Sequence, residues 1–404
     1  MFSSRVPAAL TPNRLSQAVG SLRGRGEALL DLTETNPTRA GLPYPSGLLD
    51  CLADPAALTY EPAARGLSLA REAVALEYLR HGLDVDPAHV ILTASSSEAY
   101  GFLFKLLCDP GDEVLIPQPS YPLFEHLTGL EAVRAVPYAL EPQSGWGLDL
   151  DGLARAITPR TRAVLVVSPN NPTGSRLRVH ELEALGAICE RHGLAIVGDE
   201  VFADYPLGHY PLGHGAAARG DGAFAPCSVL SQARVLTFGL GGLSKSVGLP
   251  QVKLGWIVLR GPADQVRAAA ERLDLIADTY LSVSTPVQLA APLLLERGAA
   301  VRAAIQARVE ANLRAFERAL AAAPSCTLLP VDAGWSAVLR VPAVRPEEEL
   351  VLDLLQQDRV LVMPGYFYDF ASEAYLVVSL LPDPEVFMAG VTTMLARVEE
   401  LTRG

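Results

Sequence analysis

The stretch Gly241-Gly242-Leu243-Ser244-Lys245-Ser246-Val247-Gly248-Leu249-Pro250-Gln251-Val252-Lys253-Leu254-Gly255-Trp256 places one lysine, Lys245, in a glycine-lined turn between two apolar runs, residues 234–238 and 254–259. Lysine is ordinarily a surface residue, so one set between strands that read as buried calls for a reason. A solvated loop lysine is the plain alternative. What lies upstream weighs against it.

Outward from that turn, apolar runs alternate with helical patterns. Residues 89–93, 114–116, 163–167 and 194–198 read as strands, and residues 98–107 and 179–192 as helices. Continuously apolar strands separated by helices predict a mostly parallel sheet covered on both faces. Leu67, Ala70, Val74 and Leu79 recur at helical spacing within residues 66–80. Residues 31–45 are turn-rich, and a long ordered segment of that kind is more often functional than a linker. Residues 206–231 read as a surface loop. Residues 262–275 and 287–323 are largely helical, the second with an expected break near Gly298. Residues 328–341, 360–363 and 375–380 read as strands of a smaller α/β domain. The expected division is a large domain over 46–285 and a second body made of 1–45 with 286–404.

A chain of 404 residues, half of them hydrophobic, can bury a substantial core. Its formal net charge of −12 argues against nucleic acid as a partner. No apolar run reaches membrane-spanning length, and residues 1–20 lack the apolar core of a secretory signal, so the cytoplasm is the expected location and no membrane partner is expected. Five cysteines are widely spaced and odd in number, and the seven histidines are dispersed. Neither set has metal-ligand spacing, and no metal is expected.

In open parallel sheets ligands bind at the carboxyl ends of the strands, and here those ends carry polar residues. Ser95-Ser96-Ser97 opens a helix, as an anion site or as a plain N-cap. Asn171, in Asn170-Asn171-Pro172-Thr173-Gly174, sits where an ordinary turn would also place it. Asp199 follows residues 194–198, where a carboxylate is costly unless it meets a cation. Its alternative is an N-cap. With Lys245, these hydroxyls, amide, carboxylate and amine suit one site for a phosphorylated, protonated heterocycle.

Asn171-Pro172-Thr173-Gly174, Asp199-Glu200-x-x-x-Asp204-Tyr205, Ser244-Lys245 and Lys253-x-Gly255 occur in that order. In them the chain resembles, over nearly its whole length, the fold-type I pyridoxal-phosphate enzymes and, within these, the class I/II aminotransferases. The resemblance implies an α/β fold: a large domain with a mostly parallel seven-stranded sheet between helices, plus a smaller α/β domain. It implies pyridoxal 5'-phosphate as cofactor and ping-pong transfer of an amino group between an amino acid and a 2-oxo acid. Lys245 is then the Schiff-base lysine that also moves the Cα proton, and Asp199 the partner of the pyridinium nitrogen. Asn171 is the donor to the ring's phenolic oxygen and Tyr121 the aromatic that stacks on the ring. Ser96, Ser97, Ser244 and Lys253 cradle the phosphate. Tyr60, followed by Gly66, resembles the tyrosine that reaches a neighbouring subunit's phosphate, which implies a homodimer with shared sites.

Four positions depart from the family pattern. Phe202 stands where a tyrosine usually helps to hold the phenolic oxygen. Lys253 replaces a guanidinium, keeping the charge without the planar fork, and Gly242 replaces a serine. Val377 occupies the position of the arginine that grips the substrate α-carboxylate, and no arginine lies between Arg359 and Arg397. Arg39, in the irregular N-terminal segment, is the candidate substitute, and Trp335 and Tyr366 are candidate pocket walls. A lyase or decarboxylase of the same fold stays open as an alternative. A non-catalytic ligand-binding homologue is the third reading, which intact Lys245, Asp199 and Asn171 argue against.

Overall fold

The apolar runs become strands of one sheet in the computed structural model, which describes residues 2–7, 10–142, 145–208 and 225–403. After β1 (Leu30–Asp31) the chain forms β2 (Val90–Thr93), β3 (Glu113–Gln118), β4 (Arg134–Glu141) and β5 (Gly147–Leu148), then β6 (Thr161–Val167), β7 (Ala195–Asp199), β8 (Thr237–Gly242) and β9 (Gly255–Arg260). Their order across the sheet is β2-β9-β8-β7-β6-β3-β4-β5. From β8 to β4 every neighbouring pair is parallel. β9 runs antiparallel to both β2 and β8. The sheet has eight strands where the resemblance implied seven: the six located in the sequence, β4, which was not located there, and the two-residue β5, which pairs antiparallel with the end of β4.

Alternate residues of each central strand feed two different cores, which is why these strands read as continuously apolar. Val164 and Ile196 face one cluster, and Leu165 and Val197 the other. The helices are α1 (Arg14–Gly24), α2 (Ser68–Arg80), α3 (Ser96–Leu107), α4 (Phe124–Leu130), α5 (Leu150–Ala156), α6 (Val179–His192), α7 (Leu243–Ser246) and α8 (Ala263–Tyr280). α9 (Thr285–Ala319), α10 (Glu347–Asp358) and α11 (Pro384–Arg403) complete the set. α3 and α8 cover one face through Phe102, Leu103 and Leu273. α2, α6 and α9 cover the other through Val74, Leu182, Leu185 and Leu294.

The strand before the lysine begins later than residues 234–238 suggest. β8 takes in Gly239, Gly241 and Gly242, all buried. Bulky neighbours claim the space their side chains would occupy: a Cβ on Gly239 would lie 2.8 Å from Leu230 Cδ1, and one on Gly241 would run into the Trp256 indole. The glycines therefore belong to the strand, and Lys245 sits on the single turn α7 just beyond it.

The expected break near Gly298 is absent. α9 runs unbroken for 35 residues, with Gly298 buried at its centre. A Cβ there would approach Val247 Cβ to 2.6 Å, so the glycine answers close packing against the lysine loop, not a bend.

Residues 328–341 form two strands, not one. β10 (Thr327–Leu328), β11 (Ser336–Arg340), β12 (Val360–Leu361), β13 (Met363–Pro364) and β14 (Tyr375–Ser379) follow α9. Four of them make an antiparallel sheet in the order β10-β11-β14-β13. β12 instead pairs parallel with β1, Leu30 opposite Val360, so the start of the chain joins its last third. Of the surface loop expected over 206–231, residues 209–224 lie outside the described residues. Among the described residues no helix is long and apolar enough to cross a membrane, and no group of three or more His, Cys, Asp or Glu is placed to hold a metal ion.

Candidate active site

The strand order fixes the order of the chemistry. β9 is antiparallel, so its first residue meets the last residues of its neighbours: Gly255 pairs with Thr93 and with Gly242. The segment entering β9 (Lys253) thus lies between the start of α3 (Ser96, Ser97) and α7 (Ser244, Lys245). Next across the sheet come the end of β7 (Asp199), the loop after β6 (Asn171) and the loop after β3 (Tyr121). Residues spread over some 160 positions of sequence line one edge of the sheet.

Ser95 caps α3, its hydroxyl accepting from the Glu98 N–H at 3.2 Å. The N–H groups of the first turn are left to seek other acceptors, with Ser96 and Ser97 beside them. Gly255 backs directly onto this turn: a Cβ there would stand 2.8 Å from the Ser95 carbonyl carbon and 3.1 Å from Ser96 N. Lys253, exposed, takes a left-handed backbone with φ of 62°.

Asp199 is held from two sides. The Tyr100 hydroxyl donates to Oδ2 at 2.9 Å and the Val201 N–H to Oδ1 at 3.2 Å. Burial pushes its carboxyl above the usual range, while these two hydrogen bonds and the charge of Lys245 pull it back. Tyr100 was not singled out from the sequence. Helical spacing was the available signal, since it lies one turn beyond Ser96 and Ser97 on α3 and so on their side of the helix.

The Lys245 amine stands 4.9 Å from the centre of the Trp335 ring and 5.5 Å from that of Phe202. Aromatic faces attract an ammonium at such distances. Burial lowers the amine to about 8, with Asp199 opposing the shift. Phe202 and Trp335 meet edge to face at 5.3 Å, and Tyr205 meets Trp335 at 5.1 Å. Trp335 is 2% exposed, and its Nε1–H has no hydrogen-bond partner among the described residues.

Asn171 is met from the smaller sheet, where the Ser336 hydroxyl of β11 donates to its Oδ1 at 3.4 Å. Gly174 lets that sheet come close: its carbonyl accepts from the N–H groups of Asp332 and Ala333, and a Cβ would lie 2.7 Å from Ala333 O. Tyr121 is part-exposed, and burial together with the nearby Asp199 charge raises its phenol.

Other candidates stand apart. Arg39 is 71% exposed and paired with Glu34 at 3.4 Å. Tyr60 is 67% exposed. Tyr366 packs edge to face on Phe367, and its N–H donates to Glu347. Val377 is buried in β14, opposite Val338 and Met363.

These residues fit pyridoxal phosphate on grounds visible in the fold. A helix N-terminus lies flush against a glycine, a half-buried carboxylate stands two strands away, and an amine lies between them. The family model for aminotransferase class I and II matches residues 52–386. The chain belongs to this family. It is a pyridoxal-phosphate-dependent aminotransferase that moves amino groups between amino acids and 2-oxo acids. It is similar to the glutamate-pyruvate aminotransferase AlaA of Escherichia coli K12, 28% identical over 371 residues, covering 89% of this chain and 88% of that one. The alanine aminotransferase of Mycobacterium tuberculosis H37Rv is 29% identical over 384 residues, 91% of this chain and 84% of its own. A solved alanine aminotransferase from Pyrococcus furiosus shares the fold of this aminotransferase with a TM-score of 0.84 at 23% identity, covering 99% of this chain and all of that one.

Proposed function

We propose that Lys245 is the residue that carries the cofactor and moves the proton, and that the preferred amino donors are small neutral amino acids, alanine first. The observation that carries the reading is the Lys245 amine, placed beside the Phe202–Trp335 pair with Asp199 at the next strand end. When bound, pyridoxal phosphate supplies an electron sink that eases loss of a proton from the amino acid's Cα. An amine lowered to about 8 exchanges protons readily near neutral pH. Asp199 supplies the negative charge that keeps a ring nitrogen protonated. Asn171 donates to the ring's oxygen and Tyr121 packs on the ring. Ser96, Ser97, Ser244 and the first turn of α3 bind the phosphate, with Lys253 neutralising its charge.

Two apolar rings beside the amine favour an uncharged donor side chain, in keeping with the relative named for alanine. Arg39 serves the donor carboxylate once a ligand draws it from Glu34. The active unit is a homodimer in which the exposed Tyr60 reaches the other subunit's phosphate. Borohydride reduction and peptide mapping test the attachment, and the chain offers three lysines, Lys105, Lys245 and Lys253, as outcomes. Label on Lys245 is expected. A half-reaction panel, followed by loss of the cofactor's visible band, should rank alanine above aspartate and lysine. A reversed ranking refutes the donor class.

A further inference from the structure

α7 is a single turn, so its carbonyls have little helix to bond to. Three side chains from three other parts of the chain meet this need. The Tyr205 hydroxyl donates to the carbonyl of Lys245 itself and, at 3.3 Å, to that of Ser246. Arg302 Nε, from α9, donates to the Ser246 carbonyl at 2.8 Å. The Tyr44 hydroxyl, from the N-terminal segment, donates to the Gly248 carbonyl at 2.6 Å.

The surroundings are arranged to keep these donors in place. Arg302 Nη2 bonds Glu77 at 2.7 Å, and its Nε also lies 3.6 Å from Asp204, which His81 and Arg80 contact as well. Burial raises Asp204, yet the hydrogen bond from His81 and the charges of Arg302 and Arg80 hold it below the usual carboxylate range, so the guanidinium keeps an anionic partner. Burial pushes the Tyr44 phenol up to about 12 and Tyr205 well above its ordinary value, so both remain donors through neutral pH. Gly298 lies one turn before Arg302 on the same face of α9, where it admits Val247. Gly248 has φ of 65°, and a Cβ there would stand 3.0 Å from both Val301 and Ile305 and 3.2 Å from the Tyr44 hydroxyl.

We propose that Tyr44, Tyr205 and Arg302 are positioning residues for Lys245: by holding the carbonyls of Lys245, Ser246 and Gly248 they fix where its amine stands beside the Phe202–Trp335 pair. None of them reaches the amine. They act through the backbone that carries it, and Tyr44 makes the N-terminal segment part of that support. The ionisable groups facing this loop are Asp199 at the end of β7, Tyr205 in the following turn, Arg302 on α9 and Tyr44. The proposal rests on Lys245 being the attachment point.

The test follows capture of pyridoxal phosphate by full-length apoprotein as a function of pH. For the unaltered chain the midpoint is expected near the amine's value of about 8. Tyr44→Phe, Tyr205→Phe and Arg302→Lys each loosen the loop and let the amine meet water. Each should raise the midpoint toward the ordinary lysine value of 10.5 and slow capture at neutral pH about three- to tenfold, the worth of one hydrogen bond. Tyr138→Phe is the control, since that buried hydroxyl also donates to a backbone carbonyl, Leu165 O at 2.8 Å, in a different part of the sheet. It should cost stability and leave the midpoint where it was. Variants that melt earlier but capture cofactor with an unmoved midpoint overturn the proposal. Borohydride label on Lys105 or Lys253 instead overturns the assignment of Lys245, so the two failures are told apart.

Discussion

At the scale of single residues, the Lys245 amine links pH to stability in a direction opposite to that of most surface lysines. Its value falls from 10.5 to about 8 in the folded chain because burial disfavours the charge. Between those values the unfolded chain binds more protons than the folded one, so stability rises with pH across that window. Below about 8 both states are protonated and the penalty is constant. Thermal melts of apoprotein should therefore climb from pH 8 toward pH 10.5, and Lys245→Met should flatten the climb. Arg39 gives a second residue-level expectation. Arg39→Ala should raise the KM for the amino donor about tenfold while leaving kcat nearly unchanged, the pattern of a lost ground-state contact. An unchanged KM removes Arg39 from substrate binding. Lys245 and Asp199 were legible in the sequence as candidate site residues, because a lysine and an aspartate at the ends of apolar strands demand an explanation. Tyr100 was not, because on a helix that already reads as apolar a tyrosine looks like core.

Among the elements, α9 and β8 show how glycine misleads a reading made without neighbours. Gly298 and the glycines of β8 look like breaks, yet each marks a place where another element presses in. Gly298→Ala should therefore destabilise the fold by about 1–3 kcal/mol, although alanine is the better helix former. It should also weaken cofactor binding, because the displaced neighbour, Val247, belongs to the lysine loop. Denaturant melts and a cofactor titration on the same variant check both. Gly255→Ala should leave the sheet formed and weaken capture of the phosphate, since its Cβ would meet backbone at the start of α3 and not a yielding side chain. β4 escaped notice for another reason. Its residues are mostly half-exposed or exposed, and a strand flanked on its outer side only by the two-residue β5 has no continuous apolar run to betray it.

For the whole molecule, two of the contacts that tie the parts together are β1 beside β12 and the loop before β11 against Gly174. The expected grouping of residues 1–45 with 286–404 named neither contact, because pairing between segments far apart in sequence leaves no periodic trace in either. The alternation of strands and helices was visible, because both faces of the sheet are buried and each strand is apolar throughout. If the active unit is a homodimer, Tyr60→Phe should lower cofactor affinity about three- to tenfold, one lost hydrogen bond per site. Light scattering should then report two chains per particle for the variant as for the unaltered protein. A monomer at micromolar concentration would refute the shared site.

The reversed direction of β9 has a consequence for exchange between relatives. Because β8 and β9 are neighbours running opposite ways, residues 241–256 form one hairpin-like excursion that begins and ends inside the sheet with fixed register, Gly241 opposite Trp256. The lysine proposed as attachment point and two of the proposed phosphate contacts, Ser244 and Lys253, travel on that excursion together. Asp199, Asn171 and Tyr121 arrive on separate parallel crossovers. The excursion is thus a transplantable cassette. Replacing it with the matching segment of another family member would swap Ser244, Lys245 and Lys253 in one step and leave Ser96, Ser97, Asp199, Asn171 and Tyr121 as they were.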